Sequence, residues 1–599
     1  MRSDNPVAAA VERHNSDPLY LVQIVREAQA ALGWLSRETR CEIAQRLKIP
    51  FTHVEGVVKF YAFFYDKPRG AYRLLISDNI TDRMQGNQEL LERLLGRFGV
   101  NRGEVSTDGL VSVDLTSCTG MCDQGPGMLV NNIAVPRLSV ARVDAIAELI
   151  EAHTPLDHWP AEFFRVEDNV RRAGPLLQAP IAPGHALDAA IALGRLGVID
   201  EMKRSNLRGR GGAGFATGLK WEAARNAPGA DRYIVANADE GEPGTFKDRV
   251  LLTSQPGRIF EGMAIAGYAI GATRGFLYLR GEYEYLKPRL DAELERMRLV
   301  RRLGPGVRGC AAFDFDIEIH VGAGAYVCGE ETALLESLAG KPGRPRVRPP
   351  FPATRGYLGR PTVVDNVETL CQATEVVMHG GAAFARQGTK NSTGSKILSV
   401  SGDCELPGVY EYSFGVPISQ VLEDAGAARD VAAVQIGGPS GVLMTPDQFT
   451  RRIAFEDVPT SGAFMIFGGQ RDLFEVARNF VHFFAHESCG FCTPCRVGTT
   501  VQRNIMDKIA EGRGSRYEVN ELKRVVEFMK RTSHCGLGET AGNAVRDALN
   551  KFRPAFERRL RAKDLAPAID LERALEPARQ ITGRDDAEAH METEGSTNG

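Results

Sequence analysis

The pattern that most constrains this chain lies near its C-terminus. The run Glu487-Ser-Cys-Gly-Phe-Cys-Thr-Pro-Cys-Arg496 is followed, well downstream, by His534-Cys-Gly-Leu-Gly538. Cys489, Cys492 and Cys495 form a C-x2-C-x2-C triplet, close enough in the chain to hold three corners of one 4Fe–4S cube. Cys535 supplies the fourth corner and staples a distant segment onto the triplet. Structural zinc more often takes two C-x2-C pairs or a Cys/His mixture. A disulfide set conflicts with the N-terminus Met1-Arg-Ser-Asp-Asn-Pro6, which is not a signal peptide, and with a cytoplasmic setting. A cube moves one electron at a time, so the rest of the chain should contain the electron source.

At 599 residues the chain is long enough for several domains, and 43% hydrophobic content is ample for folded cores. A net charge of −3 gives no electrostatic case for nucleic acid or an anionic membrane. The apolar stretch Met263–Ala272 is too short to span a bilayer and reads as a buried helix. Cys41, Cys310, Cys328, Cys371 and Cys404 sit singly and read as core thiols.

Residues 1–65 read as helical: Leu19–Leu32 has helical spacing, Glu38–Leu47 follows Ser36 as its cap, and Thr52 is placed to cap another helix after Ile49-Pro50. Residues 66–152 read as βαββα, with strands at Ala71–Ile76, Gly109–Asp114 and Gly127–Asn131. The helices are Gln88–Phe98 and Val140–Ala152, the second capped by Ser139. Residues 153–180 read as a linker and 181–392 as a larger, glycine-rich α/β domain. Residues 393–470 are β-rich, with strands at Lys396–Gly402, Gly408–Tyr412, Val431–Ile436 and Ala463–Phe467. Residues 471–565 are helical and 566–599 form a tail, disordered over Gly583–Gly599. The fold class is multidomain α/β, without an internal repeat.

Leu207-Arg-Gly-Arg-Gly-Gly-Ala-Gly-Phe-Ala-Thr-Gly-Leu-Lys-Trp221 is dense in glycine. Backbone without Cβ atoms can press its N–H groups against a phosphate or a flat ring, and Arg210 and Lys220 can neutralise phosphate charge. The run is neither a Walker loop nor the plain G-x-G-x-x-G fingerprint. Val235-Ala-Asn-Ala-Asp-Glu-Gly-Glu-Pro-Gly-Thr-Phe-Lys-Asp-Arg249 places Asn237, Asp239, Glu240 and Glu242 at a strand end, where α/β sheets bind ligands. Gly322-Ala-Gly-Ala-Tyr-Val-Cys-Gly-Glu-Glu-Thr332 then opens a helix. Its carboxylates suit ribose hydroxyls or a flavin N–H, or serve only as helix caps.

These segments, with PPFP at residues 349–352 and the ESCGFCTPCR run, resemble the NADH-oxidising flavoprotein subunit of respiratory complex I and its relatives. Those relatives include NAD-reducing hydrogenases and NAD-linked formate dehydrogenases. The match spans roughly residues 180–560. The N-terminal 150 residues resemble the thioredoxin-like partner subunit, and this fusion is most similar to diaphorase flavin subunits of soluble nickel–iron hydrogenases. The resemblance implies a Rossmann-like FMN domain, a β-grasp domain and a C-terminal helical bundle with the 4Fe–4S cluster. By motif, Gly209, Arg210, Gly211, Gly212, Lys220, Asn237, Asp239, Gly329, Glu330 and Asn366 line FMN. Phe215, Glu242, Glu331, Arg348 and Phe351 line the NAD(H) pocket. Arg348 stands where relatives often have lysine. The resemblance implies hydride transfer between nicotinamide and flavin, with Lys220 expected to stabilise charge on reduced flavin and Glu331 to orient nicotinamide or ribose. The implied partners are an iron–sulfur diaphorase subunit and the hydrogenase small and large subunits, in the cytoplasm. A flavin subunit of formate dehydrogenase or of complex I, or a catalytically silent scaffold, are the alternatives.

In the thioredoxin-like subunit a 2Fe–2S cluster takes C-x4-C and then C-x3-C. Here Cys118 and Cys122 supply the second pair, whereas Ser77 and Asp82 stand in the first. Two oxygens and two sulfurs are a poor set for a thiolate cluster, so its loss is the expectation.

Overall fold

The computed structural model describes residues 5–178, 181–561 and 571–585. The expected disordered tail therefore lies largely outside the described residues. Three sheets organise the chain. The first contains β1 (Tyr72–Ser77), β2 (Val111–Thr116), β3 (Met128–Val130) and β4 (Ile133–Val135) in the order β2-β1-β3-β4. The expected βαββα order therefore lacked one strand. Asn131 and Asn132 both have positive φ, turning the chain tightly enough for β4 to pair back on β3.

The site-bearing sheet is wholly parallel: β6 (Tyr233–Ala238), β7 (Arg274–Leu279), β8 (Asp316–Val321) and β9 (Thr362–Asn366), in the order β8-β7-β6-β9. Its strands are largely buried, as a parallel sheet covered on both faces requires. The helix Pro256–Ile270 lies against it, buried from Arg258 to Ile270, as its apolar run predicts. Gly262 lets it also pack closely on the helix Val367–His379, because a Cβ there would lie 2.3 Å from the Leu370 carbonyl oxygen. Sheet order reverses between β6 and β9, and a crevice at such a switch point is where open α/β sheets bind ligands.

The third sheet runs β13-β12-β14-β10-β11-β5, from β10 (Ser395–Gly402), β11 (Gly408–Ser413), β12 (Val431–Ile436), β13 (Val442–Met444) and β14 (Ala463–Gly468). Its outermost strand, β5 (Val170–Arg172), comes from the segment expected to be a linker. That segment thus adds an edge strand, its side chains exposed on both faces and without apolar alternation to reveal it.

The N-terminal helices Pro6–Arg13, Leu21–Leu32, Arg37–Leu47 and Phe51–Val58 cap the parallel sheet. Ser36 caps the third as expected, but the fourth begins after Pro50 and Thr52 lies inside it. Proline's fixed φ and missing N–H suit a helix start without a side-chain cap. Arg26 Nη1 donates to Gly322 O at 2.8 Å and Gln23 Nε2 to Val321 O at 3.0 Å, so this cap grips the loop that leaves β8. After Asp472 the chain is helical, with helices at Leu473–Glu487, Thr493–Ala510, Arg516–Thr532, Gly536–Thr540 and Asn543–Lys551. Among the described residues no helix is long and apolar enough to cross a membrane.

Candidate active site

The glycine run closes on itself through Gly209 N donating to Phe215 O (2.9 Å) and Thr217 N to Leu207 O (2.8 Å). Gly211 lies against Asn366 at the end of β9, where a Cβ would sit 3.2 Å from that side chain. Gly214 has φ +64°, and a Cβ there would reach to 2.4 Å from the Phe455 ring. The loop thus lies over the switch point between β6 and β9 and beneath the β-rich unit. Asn237, on β6, donates to Gly329 O (2.9 Å) and accepts from Asp239 N (3.1 Å), joining two of the expected flavin-lining segments.

Two carboxyl oxygens here are buried without a hydrogen bond, Asp239 Oδ2 and Glu330 Oε1. Desolvation pushes Asp239 well above the usual carboxyl range. Orphaned buried acceptors are costly unless a ligand supplies donors. The hydroxyls and ring N–H of a flavin are such donors, so the residues present fit FMN. The other Glu330 oxygen does cap the helix Glu331–Leu338, accepting from Thr332 N and Ala333 N at 3.0 Å, and Asn366 likewise caps Val367–His379. Both residues therefore do structural work as well.

Lys220 Nζ donates to Val364 O (2.8 Å) and Asp365 Oδ1 (3.0 Å). Burial opposes its charge, but Asp365 and Glu331 outweigh burial and hold Lys220 above its ordinary value. Burial pushes Glu331 up, against the pull of Lys220. Arg348 Nη1 lies 3.5 Å from Glu330 Oε1 and 3.9 Å from Glu331 Oε1, so the cation that replaces lysine faces both carboxylates. Arg210 departs from the expected phosphate role. Its guanidinium is buried and donates to the carbonyls of Arg208, Thr393 and Ser395, so only its backbone belongs to the ligand-facing loop.

On the outer side Phe215 and Phe351 are 58% and 54% exposed, two aromatic faces open to a planar ring. Glu242 accepts from the Tyr326 hydroxyl and from Ser440 N at 2.9 Å, the latter on the loop between β12 and β13. Tyr326, Ser440 and Asp365 escaped sequence reasoning as site residues. Tyr326 lies within the Gly-Ala-Gly-Ala-Tyr string and Ser440 within Gly437-Gly-Pro-Ser-Gly441, glycine signals sufficient to flag them; Asp365 carries no signal.

Cys489, Cys492, Cys495 and Cys535 converge on one small pocket with Ser488, Phe491, His534 and Leu537. Burial raises the Cys495 thiol to about 12 and the Cys535 thiol to about 11, with neighbouring thiols adding to it. Thiols so placed need metal charge to deprotonate them. A cube takes one thiolate at each of four iron corners, and four cysteines from two separated segments around one pocket supply that set. The residues present therefore fit a 4Fe–4S cluster. Glu487 ties this segment to the cleft: its Oε2 accepts from Tyr326 N at 3.0 Å.

In the N-terminal sheet domain Ser77, Asp82, Cys118 and Cys122 do come together. Cys118 Sγ lies 3.5 Å from Cys122 Sγ, and Asn79 Nδ2 reaches Asp82 Oδ2 (2.6 Å), Cys118 Sγ (3.3 Å) and Cys122 Sγ (3.6 Å). With the two oxygen groups bonded to each other and Asn79 in their midst, this donor set does not fit a 2Fe–2S cluster.

Three family models match: the Nuo51 FMN-binding domain over residues 202–375, the thioredoxin-like 2Fe-2S ferredoxin over 7–151, and the NADH-ubiquinone oxidoreductase-F iron-sulfur binding region over 475–559. The chain is 40% identical to the NAD-reducing hydrogenase HoxS subunit alpha of Cupriavidus necator, over 96% of this chain and 97% of that protein. It is 40% identical to an NADH-quinone oxidoreductase subunit of Aquifex aeolicus, over 62% of this chain and 88% of that one. The fold matches a chain in the crystal structure of NAD+-reducing NiFe-hydrogenase in the H2-reduced state, with a TM-score of 0.88, 42% identity, and coverage of 96% of this chain and all of that one. With a relative matched end to end, the chain belongs to the family of the NAD-reducing hydrogenase HoxS subunit alpha.

Proposed function

We propose that the chain is the diaphorase subunit of a cytoplasmic NAD-reducing hydrogenase: it exchanges hydride between NAD(H) and FMN and relays electrons singly through a 4Fe–4S cluster. The observation that carries this is the Glu487–Tyr326 bond. Through it one chain joins a glycine-loop cleft, in which Asp239 Oδ2 is buried without a hydrogen bond, to a pocket of four cysteines. FMN, when bound, converts a two-electron hydride into single electrons. The residues position and insulate. Phe215 and Phe351 stack planar rings of the dinucleotide, and Glu242, fixed by Tyr326 and Ser440, accepts from its hydroxyls. Glu331 orients the nicotinamide half. Lys220 has three donors and, among the described residues, two acceptors, leaving one N–H for charge on the reduced flavin. Cys489, Cys492, Cys495 and Cys535 hold the cube.

The end-to-end match with HoxS subunit alpha, against 62% of this chain for the NADH-quinone oxidoreductase relative, favours the hydrogenase assignment over a complex I flavin subunit. The partners are then an iron–sulfur diaphorase subunit and the hydrogenase small and large subunits. The test is metal analysis of the native complex together with anaerobic NADH-dependent dye reduction. Nickel, FMN and NADH-dependent dye reduction are expected. Molybdenum or tungsten without nickel would reassign the complex to formate chemistry, and no bound FMN would end the flavin reading.

A further inference from the structure

The loop Ser117–Asp123, which leaves β2 and carries Cys118 and Cys122, is docked on the strand-end segment that bears Glu242. Arg249 Nη2 donates to the two Asp123 carboxylate oxygens at 2.9 and 3.0 Å, and both side chains are fully buried. Arg280 spans the same junction: its Nη1 donates to Glu240 O and its Nη2 to Cys118 O, each at 2.6 Å. Gly120, with φ +73°, lets the loop come this close, because a Cβ there would lie 2.2 Å from the Tyr283 hydroxyl oxygen. That hydroxyl in turn donates to Glu240 Oε2 at 3.0 Å. Removing either partner of an ion pair buried this completely would strand the other charge. The loop is therefore fixed on the domain that carries the cleft.

Its first residue connects to the dinucleotide pocket. Ser117 Oγ donates to Glu487 Oε1, and Glu487 Oε2 accepts from Tyr326 N at 3.0 Å. Glu487 ends the helix Leu473–Glu487, two residues before Cys489. A carboxylate there faces the negative end of its own helix dipole, so its helix does not favour it. Its two bonds, one to each oxygen, compensate. Tyr326 opens the short helix Tyr326–Gly329, and Glu487 accepts from an N–H that the helix start leaves free. The Tyr326 hydroxyl then donates to Glu242, whose other oxygen accepts from Ser440 N. A continuous series of hydrogen bonds thus runs from Ser117 through Glu487 and Tyr326 to Glu242.

We propose that Ser117 is a positioning residue for NAD(H) binding. It fixes the Glu487 carboxylate, Glu487 fixes the Tyr326 backbone, and Tyr326 aims its hydroxyl at Glu242. The thioredoxin-like domain, with Ser77 and Asp82 in place of its first cysteine pair, then serves the dinucleotide pocket as a support and not as an electron carrier. Every link in the series is a bond between groups of this chain, and the buried Arg249–Asp123 pair anchors the far end.

This rests on the NAD(H) reading of the cleft, and the test separates the two. Steady-state dye reduction by NADH is measured on the full-length holoprotein, with FMN and iron content determined for each variant. Ser117→Ala should raise KM for NADH about 2- to 30-fold, the range for substitutions that act along such a network, with kcat little changed. Ser117→Thr, which keeps the hydroxyl, should restore the wild-type KM. In a Tyr326→Phe background Ser117→Ala should raise KM little further, because the bond to Glu242 through which it acts is already gone. An unchanged KM in Ser117→Ala, or full additivity with Tyr326→Phe, overturns the proposal. Loss of FMN or iron from Ser117→Ala also overturns it, because Ser117 would then support the fold at large. If the wild-type protein shows no NADH-dependent dye reduction, it is the NAD(H) reading itself that falls.

Discussion

Ser77 Oγ donates to Asp82 Oδ2 across 2.5 Å, and by spacing these are the two residues on which the expected first C-x4-C pair falls. Ser77 and Asp82 pair with each other, and the Asn79 amide donates to Asp82 at 2.6 Å with Cys118 Sγ (3.3 Å) and Cys122 Sγ (3.6 Å) competing for its second N–H. The pocket is therefore closed by hydrogen bonds rather than left as an abandoned ligand shell. Wild-type protein reconstituted under anaerobic conditions should hold about four irons per chain, as a single cube requires. Ser77→Cys with Asp82→Cys should raise this by about two, with a new signal from reduced 2Fe–2S by electron paramagnetic resonance. Six irons in the wild type would overturn the reading of this pocket.

The Tyr326 hydroxyl and Ser440 N both hold Glu242. Removing a hydrogen bond to a charged group costs about 1.5–3 kcal/mol, or about 10- to 100-fold in affinity. Tyr326→Phe should raise KM for NADH by that factor, with kcat changed much less. Steady-state dye reduction measures both, and an unchanged KM would remove Glu242 from the dinucleotide pocket.

Gly214 combines a φ of +64° with a ring in the way, Phe455, at 2.4 Å from any added Cβ. Left-handed backbone costs a non-glycine residue about 1–2 kcal/mol, and overpacking adds about 1–3 kcal/mol. Gly214→Ala should therefore weaken FMN retention at least about tenfold, measured by flavin fluorescence on dilution. The neighbouring Gly209, with only distant atoms near its Cβ position, should tolerate alanine far better.

Glu518 and Ser515 form a capping box at the start of the helix Arg516–Thr532, and Lys508 pairs with the same carboxylate. Burial opposes ionisation of Glu518, yet Lys508 and the Ser515 hydroxyl and amide together hold it down at about 2. Its folded value lies below the unfolded one of about 4.3. Its stabilisation is thus present above that pH and is lost as pH falls from about 4.3 towards 2. Glu518→Ala should cost about 1 kcal/mol at pH 7, a capping-box magnitude discounted for solvent screening. Hydrogen exchange of this helix, which is a local measure in a multidomain chain, should show the difference vanish near pH 2.

Removing one corner of the cube separates its two neighbours in the electron route. Cys535→Ser should lose most of the iron while FMN and its reduction by NADH remain, because Cys535 contributes to the cysteine pocket and not to the cleft. Iron content and anaerobic bleaching of the flavin by NADH check this; loss of flavin reduction together with iron would make the two sites one unit.

Strong local signals sufficed to place an FMN domain and an iron–sulfur region from sequence alone. Spacing in Cys489-x2-Cys492-x2-Cys495 and the glycines of residues 209–218 constrain backbone and ligand geometry directly, so they survive without tertiary information. Helices with caps, such as Arg37–Leu47 behind Ser36, were also legible. Strands β4 and β5 were not. Each has three residues, too few for period-two alternation to show, and each exists only because a partner strand offers hydrogen bonds.

What the tertiary structure alone decided is where each charge goes. By sequence Arg210 is a cation in a glycine loop; folding turns its guanidinium to the carbonyls of Thr393 and Ser395. Lys396 reads as the first polar residue of a strand, and only the docking of β10 against the helix Val367–His379 buries it on Glu368. Sequence determines which groups exist and how neighbours in the chain are spaced. The energy of a charge depends on which distant groups desolvate and pair with it, and only the packed chain brings those groups together.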